Sequence, residues 1–221
     1  MYLIKKGQIP TKLQQAKLLL KEKLPDGSYD VFEEMDTAVR GAKHDVKEAL
    51  LKDQRHVCCY CTGKIAYETM KVEHWVSQSE DPTKRLEWSN LLAACDGGER
   101  SGNERHCDAQ KSSTPITLDP TRQEHINKLS YTNSGVMKSD VESIDKDIDE
   151  TLNLNTPKLQ RARMSAWDGF RKACEMKREK LSKDTAYTEK LLQKVRNLVD
   201  REHASPYYDI IIYFLERKQA G

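Results

Sequence analysis

Cys58-Cys59-Tyr60-Cys61 is followed at short range by Glu73-His74, Asn90, Cys95 and Cys107-Asp108-Ala109-Gln110-Lys111. Cys58 and Cys61 have the two-residue spacing of a metal knuckle, and Cys95 with Cys107 supplies a second, less regular pair. Four thiolates give zinc a closed tetrahedral shell, so the pattern predicts a structural zinc rather than a catalytic one. The residues between the second pair, Asp96 to His106, are rich in Gly, Ser, Asn and Arg, the composition of a looped-out excursion. Two alternatives stay open: Cys59 substitutes for Cys58 or packs as a small hydrophobe, and His106 replaces Cys107 as a ligand. Cys174, far along the chain on a predicted helix, reads as core. Unrelated buried thiols are the competing reading, and the clustering of the other five cysteines weighs against it.

Outward from this centre the chain reads as helical. Leu13 to Leu24 has helix-like apolar spacing and ends at the turn signal Pro25-Asp26-Gly27-Ser28. Asp36 to about Gln54 reads as a second helix, with Ala38, Val39, Ala42, Val46, Ala49 and Leu50 facing a core, and it runs directly into the first cysteine pair. Residues 58 to 120 read as short strands, loops and a short helix. A connector follows Pro120 and carries an acidic patch from Asp140 to Glu150. Pro157 to about Asp200 then reads as one long helix or a pair, and Pro206 to Lys218 as a last helix. This gives an α+β chain, mainly α-helical, in three regions: an N-terminal helical region (1–55), a zinc-bound core (56–125) and a C-terminal helical region (126–221).

The bulk numbers exclude little. The 221 residues carry a formal charge of only +2, so any footprint for nucleic acid must be local. A mean hydropathy of −0.80 is polar, yet the periodic apolar stripes indicate a folded chain. Clustered cysteines in so long a chain suggest metal binding in a reducing compartment rather than a disulfide scaffold. Met1 to Lys12 has no apolar leader segment, and the longest apolar run, Ile210 to Leu215, is too short to span a bilayer, so the expectation is a soluble, cytoplasmic protein.

The residues between the cysteines indicate what the zinc supports. Val72-Glu73-His74-Trp75-Val76 reads as a short strand, which puts Glu73 and His74 on opposite faces unless a bend brings them together. Taken singly, Glu73-His74 is an ordinary strand pair, Asn90 a turn or cap residue and Lys111 a solvated charge. Their order relative to the cysteines resembles the ββα-metal HNH endonuclease motif, over Cys58 to about Pro120. The flanking features, Leu118-Asp119-Pro120 and Leu152-Asn153-Leu154-Asn155 before a basic helix, are similar to the HNH nucleases of the Septu anti-phage system, the PtuB type, also found beside retrons.

That resemblance implies a phosphodiester-cleaving enzyme of bacterial defence, cytoplasmic, working with an ABC-type ATPase of the PtuA kind. His74 would be the general base, Glu73 a ligand of a catalytic divalent ion, and Asn90 the residue that orients the histidine through the loop. Asp108 stands where the family often has His or Asn and would complete the ion site; an acid there favours Mg²⁺ or Mn²⁺ over zinc. Lys111 would contact a phosphate. Ser77 stands where the family often has proline. DNA is the implied substrate, with RNA, including tRNA, left open.

Between Pro157 and Arg201, 13 Lys or Arg face 6 Asp or Glu, with Lys158, Arg161, Arg163, Arg171, Lys172, Lys177 and Arg178 in the first half. This is either a phosphate-tracking face or an ordinary solvated one. Met164, Trp167, Phe170 and Cys174 form a stripe that reads as core. The acidic patch reads as a partner contact or a plain surface helix. A zinc-stapled adaptor that binds nucleic acid or protein without cutting accounts for the cysteines and the basic helix, but gives no reason for Glu73, His74, Asn90 and Asp108 to occur together.

Overall fold

The computed structural model describes residues 1–21, 31–102, 104–176, 185–199 and 204–219. Two helices, α1 (Thr11–Lys21) and α2 (Val31–Ala38), precede α3 (Ala42–Asp53). Strand β1 (Lys71–His74) pairs antiparallel with β2 (Leu91–Ala94), and the one-turn helix α4 (Asp108–Lys111) follows. Beyond it come α5 (Gln123–Ile126), a second hairpin of β3 (Leu129–Tyr131) and β4 (Met137–Ser139), and α6 (Glu142–Lys146), which continues into a π-helical turn, Asp147–Thr151. Three longer helices, α7 (Pro157–Met176), α8 (Thr185–Val199) and α9 (Tyr208–Gln219), complete the chain. The fold is α+β and mainly helical. No helix among the described residues is long and apolar enough to cross a membrane.

Three features depart from the sequence reading. The helix expected from Asp36 to Gln54 is two helices, broken where Gly41 takes φ 79°, a left-handed conformation that favours glycine. The connector after Pro120 contains the β3–β4 hairpin, closed around Gly135 at φ 83°. The acidic patch is not all surface: Asp147 is buried, and its carboxylate accepts the backbone N–H groups of Thr117 (2.6 Å) and Leu118 (2.8 Å). The Pro25–Ser28 turn and the cations Lys177 and Arg178 lie outside the described residues.

Helix α3 shows how sequence sets up the centre. Ala42, Val46 and Leu50 recur every fourth residue and are fully buried, so one stripe faces the core. Its C-terminal Gln54 is also buried, and the side chain acts as a strand edge would. The amide donates to Ala93 O (2.7 Å) and Val57 O (3.0 Å), while its oxygen accepts from Ala93 N (2.7 Å). The edge of β2 that does not face β1 is thereby satisfied at Ala93 by a side chain, together with Cys59 N–H. Arg55 and His56 both take positive φ, reversing the chain out of α3 into the cysteine turn.

The C-terminal helices come back onto that turn. Tyr207 N–H donates to Thr62 O (3.0 Å), Ala204 N–H to Arg55 O (3.0 Å), and the Thr62 hydroxyl to Asp209 Oδ1 (2.7 Å). The Asp209 carboxylate, in the first turn of α9, also holds the α-ammonium of Met1 and the hydroxyl of Tyr131. Ile210, Ile211, Ile212, Phe214 and Leu215 are all buried, so α9 is covered on most of its circumference. One apolar cluster runs from Met1 to Leu215 and joins the N-terminal, central and C-terminal segments.

Arg163 is not part of a basic face. Its side chain is fully buried and donates to Leu154 O (2.7 Å) and Gly135 O (2.9 Å), clamping the second hairpin to the start of α7. Lys158, Arg161, Arg171 and Lys172 of the same helix are exposed. Replacing Arg163 by Ala strands two carbonyls and opens a cavity, which outweighs relief of the buried charge. Arg163→Ala is expected to lower unfolding free energy by about 3 kcal/mol, and Arg161→Ala by less than about 0.5 kcal/mol, measured by urea denaturation.

Candidate functional site

The four cysteines of the sequence motif converge. The sulfurs of Cys58, Cys61, Cys95 and Cys107 all lie within 4.8 Å of one another, with Cys58–Cys107 at 3.9 Å and Cys61–Cys95 at 3.8 Å. A tetrahedral zinc with Zn–S bonds near 2.3 Å needs sulfurs about 3.8 Å apart, so the donor set fits that ion in both chemistry and spacing. The group assembles without Cys59 or His106. Cys59 is buried and gives its N–H to Ala93 O (2.9 Å), while His106 Nδ1 lies beside the cluster, 3.2 Å from the Cys107 sulfur.

Local geometry makes this convergence possible. Cys58 N–H donates to Gly63 O (2.8 Å) and Thr62 N–H to Cys58 O (3.1 Å), closing a tight turn in which Gly63 N–H points at the Cys61 sulfur (3.4 Å). Cys95 follows directly from β2, and Cys107 caps α4 with φ 56°. The excursion between them closes at Gly97, where a Cβ would stand 2.2 Å from His106 O and 2.5 Å from Ala109 Cβ. Only glycine fits there. Burial opposes the thiolate at Cys58, yet hydrogen bonds from Cys107, Cys59, Cys61 and Cys95 outweigh it and hold this thiol well below its ordinary range.

Beside the cluster, β1 and α4 bring Glu73, Asp108 and Lys111 together. Glu73 is 3% exposed, and its Oε1 accepts from the Tyr60 hydroxyl (2.8 Å) and from the Lys111 ammonium (2.8 Å). Burial, then a hydrogen bond with Asp108, pushes the Glu73 carboxyl up to about 8 against the pull of Lys111. Asp108 is 22% exposed on its side chain and has Lys71 Nζ at 3.9 Å. One buried and one partly exposed carboxylate offer the hard oxygen donors that a hydrated divalent ion takes.

Lys111, a phosphate contact in the resemblance, is 1% exposed on its side chain. Its ammonium is engaged by Glu73 and by His74 O (3.1 Å), so it ties α4 to two consecutive residues of β1.

His74 ends the strand and takes different neighbours from Glu73, as strand alternation requires. Its Nε2 lies 3.0 Å from Arg85 O; a carbonyl only accepts, so Nε2 carries the hydrogen and Nδ1 is the basic nitrogen. Phe32 of α2 packs edge-on against the ring, centroids 5.8 Å apart. Asn90 pins the loop that carries Arg85. Its Nδ2 donates to Val76 O (3.0 Å) and Lys84 O (3.1 Å), and its Oδ1 accepts from Val76 N–H (2.7 Å). Sequence reasoning missed Tyr60, Arg85 and Gln54. Tyr60 stood in the quoted motif with nothing to mark it as more than filler, and Arg85 meets His74 through its backbone carbonyl, which residue identity does not reveal.

No family model matches the chain. A curated protein of Escherichia coli named "Retron Ec83 putative HNH endonuclease" is 32% identical over 105 residues, covering 42% of this chain and 40% of that protein. The chain thus spans about two fifths of the length of the curated relative it matches.

The purified chain is expected to carry one zinc by elemental analysis. Cys58→Ser or Cys107→Ser should lose both the metal and the cooperative thermal transition, because the strands and α4 are too short to hold themselves together. Cys59→Ala and His106→Ala should keep one zinc per chain. Zinc lost from His106→Ala but retained by Cys107→Ser would reverse the ligand assignment.

Proposed function

We propose that this chain is a metal-dependent HNH endonuclease that hydrolyses phosphodiester bonds, serving bacterial anti-phage defence of the Septu or retron kind beside an ABC-type ATPase. The observation that carries this reading is the Glu73–Asp108 carboxyl pair on a strand and helix braced by four converging sulfurs, next to a histidine held in one tautomer. The name of the Escherichia coli relative supports a nuclease at family level and a defence setting. The ββα-metal core, the PtuB-type assignment, the preference for DNA and the ATPase partner extend the resemblance of the motif.

In this reading His74 Nδ1 takes the proton of the attacking water. The Nε2–H bond to Arg85 O aims the ring and stabilises the imidazolium as it forms. Asn90 acts at one remove: by fixing Val76 and Lys84 it holds the neighbouring Arg85 carbonyl where His74 needs it. Glu73 and Asp108 would hold a divalent ion, which when bound would neutralise charge on the phosphate and the departing 3′ oxygen. Lys111 keeps the carboxylate and the histidine backbone in register. The thiolates of Cys58, Cys61, Cys95 and Cys107 would hold zinc and fix the ends of β2 and α4 relative to the first turn.

The test is cleavage of plasmid DNA and of total RNA with Mg²⁺ or Mn²⁺, with and without the neighbouring ATPase. Wild type is expected to cut weakly alone and strongly with the ATPase. His74→Ala should lose about 100-fold or more while keeping its zinc, and Asn90→Ala about 10-fold to 100-fold. Strong cutting by the chain alone counts against control by a partner. Binding without cutting in every combination replaces the nuclease with a zinc-stapled adaptor.

A further inference from the structure

Tyr60 sits between the two cysteines of the first pair, fully buried, at a position where the zinc reading assigns it nothing. A buried hydroxyl needs a partner, and in most cores a backbone carbonyl supplies it. Here the phenol donates instead to Glu73 Oε1, thirteen residues on, at 2.8 Å. The Lys111 ammonium donates to the same oxygen at 2.8 Å. Two donors converging on Oε1 fix the rotation of the carboxylate about its last bond. Oε2 is then the oxygen left for Asp108 and for a cation. Packing alone explains the ring but not the hydroxyl, since phenylalanine would fill the same space.

We infer that Tyr60 is a positioning residue of the divalent-ion site, transmitting the rigid geometry of the four-cysteine cluster to the Glu73 carboxylate through its hydroxyl. This rests on the proposed function, in which Glu73 and Asp108 hold the ion. The turn that carries Tyr60 is closed by Thr62 N–H to Cys58 O (3.1 Å) and tied to β2 by Cys59 N–H to Ala93 O (2.9 Å), and Cys58 and Cys61 would hold the zinc on either side of it, so its hydroxyl has little freedom to follow Glu73 if the carboxylate turns. Outer-shell partners of this kind are typically worth 10-fold to 100-fold in metal affinity. The role is separate from that of Lys111, which joins α4 to the strand, because Tyr60 joins the strand to the cysteine turn.

The experiment is Mn²⁺ titration of the zinc-loaded full chain, followed by electron paramagnetic resonance, on wild type, Tyr60→Phe, Glu73→Gln, Asp108→Asn and the Tyr60→Phe/Glu73→Gln double variant. Zinc content and melting temperature are measured on each. Tyr60→Phe is expected to keep one zinc, melt like wild type and bind Mn²⁺ about 10-fold more weakly. Added to Glu73→Gln it should weaken binding no further, because its effect runs through that carboxylate. Cleavage, where measured, should recover at saturating Mn²⁺. Unchanged Mn²⁺ affinity in Tyr60→Phe, with Glu73→Gln and Asp108→Asn both impaired, overturns the role of Tyr60 alone. Loss of zinc from Tyr60→Phe makes it a structural residue of the turn and overturns it too. If neither Glu73→Gln nor Asp108→Asn weakens Mn²⁺, the ion site of the proposed function falls, and Tyr60's role with it.

Discussion

Four sulfurs converging from separate places in the chain are the constraint on which the centre of this molecule depends. The elements around them are minimal: two four-residue strands and one turn of helix. A lone two-stranded hairpin is marginal in water, and α4 is far below the length at which a helix stands by itself. The cysteines sit at the joints: after α3, at the end of β2 and at the start of α4. Fixing the joints fixes the elements between them. Other contacts reinforce the same points, notably Gln54 along the edge of β2 and Leu152 O accepting from Cys107 N–H (2.8 Å).

Buried charge marks the other junctions. Lys111 with Glu73 joins α4 to β1, the Met1 ammonium with Asp209 joins the first residue to α9, and Arg163 joins the second hairpin to α7. Ion pairs taken out of water contribute little net stability, because desolvation offsets the attraction. Their geometric demands are strict all the same, since a buried charge in the wrong register is expensive. Helices packed through Leu and Ile tolerate small slides; helices docked on buried charges do not. This accounts for charged groups lying at the seams of a core that is mostly apolar.

The sequence was informative wherever one residue type has one dominant use. The Cys-x-x-Cys turn, the helical stripes of α3, α7 and α9, and the excursion between Cys95 and Cys107 were legible from spacing and composition alone. It was uninformative where identity does not reveal environment. Arg163 and Arg161 are the same letter two positions apart on one helix, yet one is fully buried and the other exposed, because only the first meets the carbonyls of Gly135 and Leu154. Lys111 reads as a surface cation until Glu73 is seen beside it. The break at Gly41 and the second hairpin turn on single glycines that helical or connector patterns absorb without comment. Tyr60 is the limiting case, since its partner lies thirteen residues on and nothing local points to it.

Glu73 and His74 are consecutive on a strand, so their side chains leave it in opposite directions, yet the proposed hydrolysis requires the base and the ion ligand to meet one phosphate. The end of the strand resolves this. His74 is its last residue, and beyond it Trp75 N–H turns to Asn90 O (3.0 Å) and the chain enters the loop that Asn90 holds. In the proposed reading, a phosphate lying off that end would be shared between His74 and an ion that Glu73 and Asp108 would hold. One lying over either face of the hairpin meets only one of them. Lys111 supports the same arrangement from within, because its ammonium grips the Glu73 carboxylate and the His74 carbonyl together and so fixes the angle between the two. In the proposed reading the precision of the site therefore comes from the strand terminus and the groups that pin it, and the loop from Val76 to Arg85 would belong to the catalytic machinery as much as the side chains do.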